Sequence, residues 1–187
     1  MMSIGDFARL GQVSVRMLRH YDRIIDKENE MSETEYVVKT LPTRSLAARR
    51  ASVESQAEIP GVVEPLFGGV AAAIGAAGGC PETGVAVYEI DGTSPEDGLR
   101  IIVGYDYAGA PAPGFEVVAL PAVDQCVCAV HLGTMETIGD SWQALIRWLE
   151  TQGWSPAGPG REVYLRAWPP EDQSEWVTEL QQPVRRR

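Results

Sequence analysis

Two stretches of this chain return later in it. Leu41-Pro42 recurs as Leu120-Pro121, 79 residues on, and Gly84-Val-Ala-Val-Tyr88 recurs as Gly160-Arg-Glu-Val-Tyr164, 76 residues on. No other feature constrains the fold as strongly, because a unit present twice has a copy of itself to pack against. The hydrophobic periodicity changes in the same order in both halves. Tyr36 to Arg50 is β-rich and interrupted by Pro42. Within Ile59 to Ala77, Val63, Leu66, Phe67, Val70 and Ile74 fall at helical spacing, with Pro60 in the first turn and Gly78-Gly79 as the stop. Strands follow at Val85 to Ile90 and Leu99 to Tyr107, across the turn-rich DGTSPEDG. The second half gives a strand containing Leu120-Pro121 within Phe115 to His131, then a helix from about Thr137 to Gln152. That helix puts Ile138, Trp142, Leu145, Ile146 and Leu149 on one face, and Gly153 stops it. The strand Gly160 to Tyr164 and a last strand from Trp176 to Val184 complete it. Two such β-α-β-β units predict an α+β fold, a pseudo-twofold sheet with both helices on one face and a concave groove on the other.

The composition is that of an ordinary globular protein, 44% hydrophobic and 22% charged over 187 residues. No apolar run approaches the roughly 20 residues that cross a bilayer, and the N-terminus lacks the basic, apolar and small-residue succession of a secretory signal. The expectation is a cytoplasmic protein with no membrane contact. Cys80, Cys126 and Cys128 are an odd number of thiols in a chain without a signal, which argues for reduced cysteines. Cys126 and Cys128 share a strand face, but no second Cys/His pair completes a tetrahedral set, so no metal is expected. His131 beside a glycine reads as a structural histidine. No serine or cysteine has the context of a nucleophile and no glycine pair has phosphate-loop spacing, so neither a catalytic residue nor a cofactor is expected.

The net charge of −10 is uneven: residues 1–31 hold five basic and five acidic side chains, and residues 32–187 hold 11 basic and 21 acidic ones. The acidic part repels phosphate backbones and favours cations. Any DNA contact must therefore come from residues 1–31. Within GREVYLRAW, alternation groups Val163, Leu165 and Ala167 on one face and Glu162, Tyr164, Arg166 and Trp168 on the other. The aliphatic set is expected to face the helices, and Glu162, Tyr164 and Trp168 the groove. The repeat equivalent of Glu162 is the neutral Ala86, so the fold does not itself require a carboxylate there. A partly desolvated carboxylate gains from an arriving cation, to which aromatic rings add cation-π attraction. The alternative for Glu162 is a surface ion pair with Arg166.

The first 31 residues divide into two short helical patterns, Ile4 to Leu10 and Val15 to Leu18, with Gly11 between them and Ser14 able to cap the second. Through Ile4-Gly5, Phe7-Ala8, Leu10, Val13-Ser14, Leu18-Arg19 and Tyr21-Asp22, this stretch resembles the helix-turn-helix head of MerR-type regulators. The resemblance implies DNA contacts by Ser14, Arg16, Arg19 and Tyr21. The wing and long dimerisation helix of that family are missing before the next domain, so poor operator binding is expected.

Residues 32–187 resemble GyrI-like effector-binding domains. The fragments are the Leu-Pro strand starts, His131-Leu-Gly133 followed by Trp142, Gly158-Pro159 before Glu162-Val-Tyr164, and Thr178-Glu179 near Pro183. The resemblance implies a small-molecule sensing domain of a MerR-like transcriptional regulator, binding amphipathic or cationic xenobiotics. Glu162 would be the ligand anchor, with Tyr88, Tyr164 and Trp168 as aromatic partners. It also leaves open a hydrolase of reactive cyclopropane-bearing compounds and a protein-binding, gyrase-inhibiting module.

Overall fold

A computed structural model describes residues 35–90 and 98–187. The helix-turn-helix expected over residues 1–31, with Ser14, Arg16, Arg19 and Tyr21, lies outside the described residues. Nine strands form a sheet with two α-helices, an α+β arrangement. The strands are β1 (Val37–Leu41), β2 (Arg44–Val53), β3 (Gly84–Ile90), β4 (Leu99–Asp106), β5 (Glu116–Leu120), β6 (Val123–Leu132), β7 (Trp154–Pro156), β8 (Gly160–Arg166) and β9 (Val177–Arg186). The helices are α1 (Ile59–Ala76) and α2 (Ile138–Thr151). The sheet runs β1-β6-β9-β8-β3-β4-β2-β5, with β7 attached to β9, and its ladders are antiparallel.

Each β-rich run expected as one strand is in fact two. β1 ends at Leu41 and β5 at Leu120, and the next strands start at Arg44 and Val123. Pro42 and Pro121 fall in the gaps because proline has no N–H to give a ladder. The helices lie close to their expected bounds. α1 starts with proline in its first turn and is followed by Gly78 at φ 79°, while Gly153 at φ 72° follows α2. Both glycines take the left-handed conformation that closes a helix C-terminus.

The helices cover one side of the sheet. Leu145 and Leu149 of α2 pack with Val127, Ala129, Leu180, Val184 and Trp154. Val70 and Ile74 of α1 pack on Ala47, and the first turns of α1 lie over Ala86, Ile101 and Val103. Among the described residues, α1 alone, 18 residues at mean hydropathy 1.5, is long and apolar enough to cross a bilayer. Here its apolar face lies on the sheet.

On the side away from the helices, Leu46, Ala48, Val85, Val87, Val118, Leu120 and Val163 form a second apolar cluster. It forms because β2 pairs with both β4 and β5, Leu46 facing Asp106 on one side and Val118 on the other. The groove expected on this side is therefore packed with aliphatic side chains in this region. Val163 and Leu165 belong to this cluster, whereas Ala86, directly opposite Glu162, packs with residues of α1. The facing of β8 is thus the reverse of the expectation: Glu162 and Tyr164 look toward the helices, and Val163 and Leu165 look away.

Candidate functional site

The site is built where the two Gly-x-x-x-Tyr strands meet. β3 and β8 pair antiparallel about Ala86 and Glu162, so Gly84 lies opposite Tyr164 and Gly160 opposite Tyr88. The motif is self-complementary: each tyrosine ring has a glycine across from it. A Cβ on Gly84 would stand 3.2 Å from the Phe67 ring and 3.4 Å from the Tyr164 ring, and one on Gly160 would stand 3.0 Å from the Trp142 ring. Absence of a side chain at those two positions leaves the rings room to close over the central pair.

That central pair is Ala86 and Glu162, and the carboxylate receives what the alanine leaves space for. Glu162 is only 4% exposed. Its Oε2 accepts from the Tyr164 hydroxyl at 2.7 Å and the Tyr88 hydroxyl at 3.0 Å, and its Oε1 accepts from Trp142 Nε1 at 2.8 Å. The Phe67 ring meets Tyr164 edge-on at 5.2 Å and Tyr105 at 5.3 Å. His131 stands near on β6, its ring nitrogens 2.9 Å from Ser141 Oγ and 3.0 Å from the Thr134 carbonyl.

All three donors to Glu162 are neutral, and among the described residues no lysine or arginine forms an ion pair with it. Burial pushes its pKa up; the hydrogen bonds from Trp142, Tyr164 and Tyr88 and the nearby His131 pull it down, and burial prevails. The Tyr88 and Tyr164 phenols are raised well above the usual tyrosine value, by burial first and by the carboxylate second. Such an arrangement holds an anionic oxygen pair inside an aromatic enclosure, with one of about four lone-pair positions still unused.

Of the residues singled out in the sequence, the structure brings together Glu162, Tyr164 and Tyr88. It does not bring Trp168 to them. β8 ends at Arg166 after a register shift beyond Tyr164, and Trp168 lies past that end, 77% exposed. Alternation cannot be carried across the shift, and Pro169 and Pro170 stop further pairing. Arg166 pairs with Glu175 at 3.7 Å rather than with Glu162. Trp142 and Phe67 complete the enclosure; the sequence pattern shows both as helix-face residues, and Trp142 also as part of the fragment that follows His131-Leu-Gly133, without pointing either to Glu162. A buried tryptophan needs an acceptor for its N–H, and Glu162 supplies it.

A family model described as the GyrI-like small molecule binding domain matches residues 34–185. No curated protein sequence matches the chain. Solved structures share the fold. A chain of EcmrR in a complex with DNA aligns at TM-score 0.64 and 19% identity, over 91% of this chain and 64% of that one, so this chain spans less than two thirds of that protein's length. SAV2435 bound to tetraphenylphosphonium aligns at TM-score 0.61 and 16% identity, over 81% of this chain and 94% of that one. A hydrolase from Listeria innocua aligns at TM-score 0.52 and 12% identity, over 86% of this chain and 97% of that one.

Proposed function

The chain belongs to the GyrI-like small-molecule binding domain family, and from that membership and the Glu162 enclosure we propose that it is a sensing module for amphipathic organic cations. The observation that carries the reading is a carboxylate 4% exposed whose hydrogen-bond donors among the described residues are the neutral Trp142, Tyr88 and Tyr164. A cation entering beside it supplies the counter-ion that no lysine or arginine among the described residues gives Glu162, and meets aromatic faces there. Glu162 is the anchor, and Tyr88, Tyr164 and Trp142 are its immediate partners. Because the three donors already close around the carboxylate, the ligand takes its place by turning at least one ring aside.

In this reading the protein is cytoplasmic, its two halves descend from one duplicated unit, and residues 1–31 are the remnant of a MerR-like head. The regulatory link is supported by the fold shared with EcmrR, and cation binding by the fold shared with SAV2435. The test is a titration of intrinsic tryptophan fluorescence with tetraphenylphosphonium and with neutral triphenylphosphine oxide. Loss of a charge-assisted contact in Glu162→Gln is expected to weaken the cation about 10- to 100-fold and the neutral compound much less. Equal affinity of wild type and Glu162→Gln for the cation overturns the assignment.

A further inference from the structure

The residue before Glu162 carries the opposite charge to the opposite side of the sheet. In the first half the two equivalent positions are Val85 and Ala86; in β8 they are Arg161 and Glu162, one charge on each face. Arg161 is itself 4% exposed. It lies across from Gln181 on β9, on the side where Cys126, Cys128 and Lys39 also gather. The neighbouring cations are already matched: Lys39 Nζ stands 2.7 Å from Glu179, and Arg44 Nε stands 3.1 Å from Asp106. Arg161 is not. One of its terminal nitrogens donates to the Pro121 carbonyl at 3.3 Å, and its Nε has no partner among the described residues. Burial draws the guanidinium pKa down, Cys126 and Cys128 work against that shift, and Arg44 adds repulsion.

The same side chain lines a half-open pocket of about 430 Å³. Pro121, Val123, Pro159 and Pro183 give it apolar walls without N–H donors on the prolines, and Gln125 adds an amide. Asp124 also lines it, and a carboxylate there disfavours a dianion. We propose that this cavity is a second ligand site, taking a small apolar monocarboxylate whose anionic end meets the Arg161 guanidinium while its body rests on the proline walls. The site lies on the face of β8 turned away from Glu162 and does not depend on the cation reading.

Thermal melts of the full chain with benzoate, neutral benzamide and inorganic phosphate test it. Benzoate at about 100 times its Kd is expected to raise the melting temperature by roughly 5 to 10 °C, and benzamide and phosphate by little. Arg161→Met removes the charge and is expected to abolish the benzoate response without lowering the melting temperature of the free protein. Should that variant fold poorly, Ala157→Trp closes the exposed rim, keeps the guanidinium and is expected to abolish the response as well. Cys128→Ser is expected to keep the response; a response that appears in Cys128→Ser and not in wild type would make the Cys128 sulfur, 3.8 Å from Cys126 Sγ, the counter-ion in place of an external carboxylate and overturn the proposal. So would an absent response in wild type, an equal response to benzamide, or a benzoate response that survives in Ala157→Trp.

Discussion

At Glu162 three hydrogen bonds and one desolvation penalty oppose each other, and the penalty is larger, because the folded pKa stands above the ordinary carboxylate value of 4.5. A carboxyl with a raised folded pKa holds its proton longer in the native state than in the unfolded chain. Its contribution therefore falls as pH rises from the unfolded value through the folded one, and recovers below the unfolded value. We expect wild type to lose stability against Glu162→Gln as pH rises through that window and the two to converge in acid; urea midpoints taken at a series of pH values read this directly. A pH-independent difference would mean the carboxyl does not titrate inside the enclosure. Substitution that removes hydrogen-bonding capacity is a different matter. Glutamine can accept from Trp142 with its oxygen and donate to the tyrosine hydroxyls, which rotate to receive it. Methionine leaves three buried donors without an acceptor, so Glu162→Met is expected to cost about 2 to 4 kcal/mol more than Glu162→Gln in chemical denaturation.

The elements that hold these groups were legible to different depths. The Gly-x-x-x-Tyr landmarks located the starts of β3 and β8, whereas the Leu-Pro landmarks, expected at strand starts, fall at the ends of β1 and β5, because proline gives no N–H to a ladder. Sidedness was not legible. Alternation fixes which residues of β8 share a face, and it grouped Glu162 with Tyr164 correctly. It does not say which face meets the helices, and here both faces are buried, Ala86 toward α1 and Val163 away from it. Trp142 was missed as a partner because an amphipathic helix gives the same pattern whether its tryptophan meets a leucine or a carboxylate. The element-level prediction follows from the glycines. A methyl at Gly160 stands 3.0 Å from the Trp142 ring, inside ordinary contact distance, so Gly160→Ala must move the indole that donates to Glu162. We expect a loss of about 1 to 3 kcal/mol in stability, a shifted tryptophan emission, and a larger fall in cation affinity than Gly75→Ala, whose Cβ meets nothing within 4 Å. If Gly160→Ala binds the cation as wild type does, Trp142 is a packing residue and not part of the site.

Across the whole molecule the sign of the field matters more than any pair. The acidic excess of residues 36–187, 19 side chains against 11 basic ones, lies in the same compact unit, Tyr36–Arg187, as the site that is proposed to take cations. A field of this kind acts on approach rather than on the bound state. Its range shrinks from about 30 Å at 0.01 M salt to about 8 Å at 0.15 M, whereas Glu162, 4% exposed, is hardly screened once the ligand is in place. Added salt should therefore slow association of tetraphenylphosphonium while leaving its dissociation nearly unchanged. The same field repels duplex DNA, whose binding rests on phosphate neutralisation. Residues 34–187 expressed alone should melt cooperatively, bind the cation with the affinity of the full chain, and fail to retain duplex DNA at physiological salt. Stopped-flow tryptophan fluorescence over a salt series, with both chain lengths, measures the rates. Should dissociation carry the salt dependence instead, the cation sits in water on the surface and not against Glu162. A shorter chain that melts without cooperativity would show that residues 1–33 belong to the folding unit.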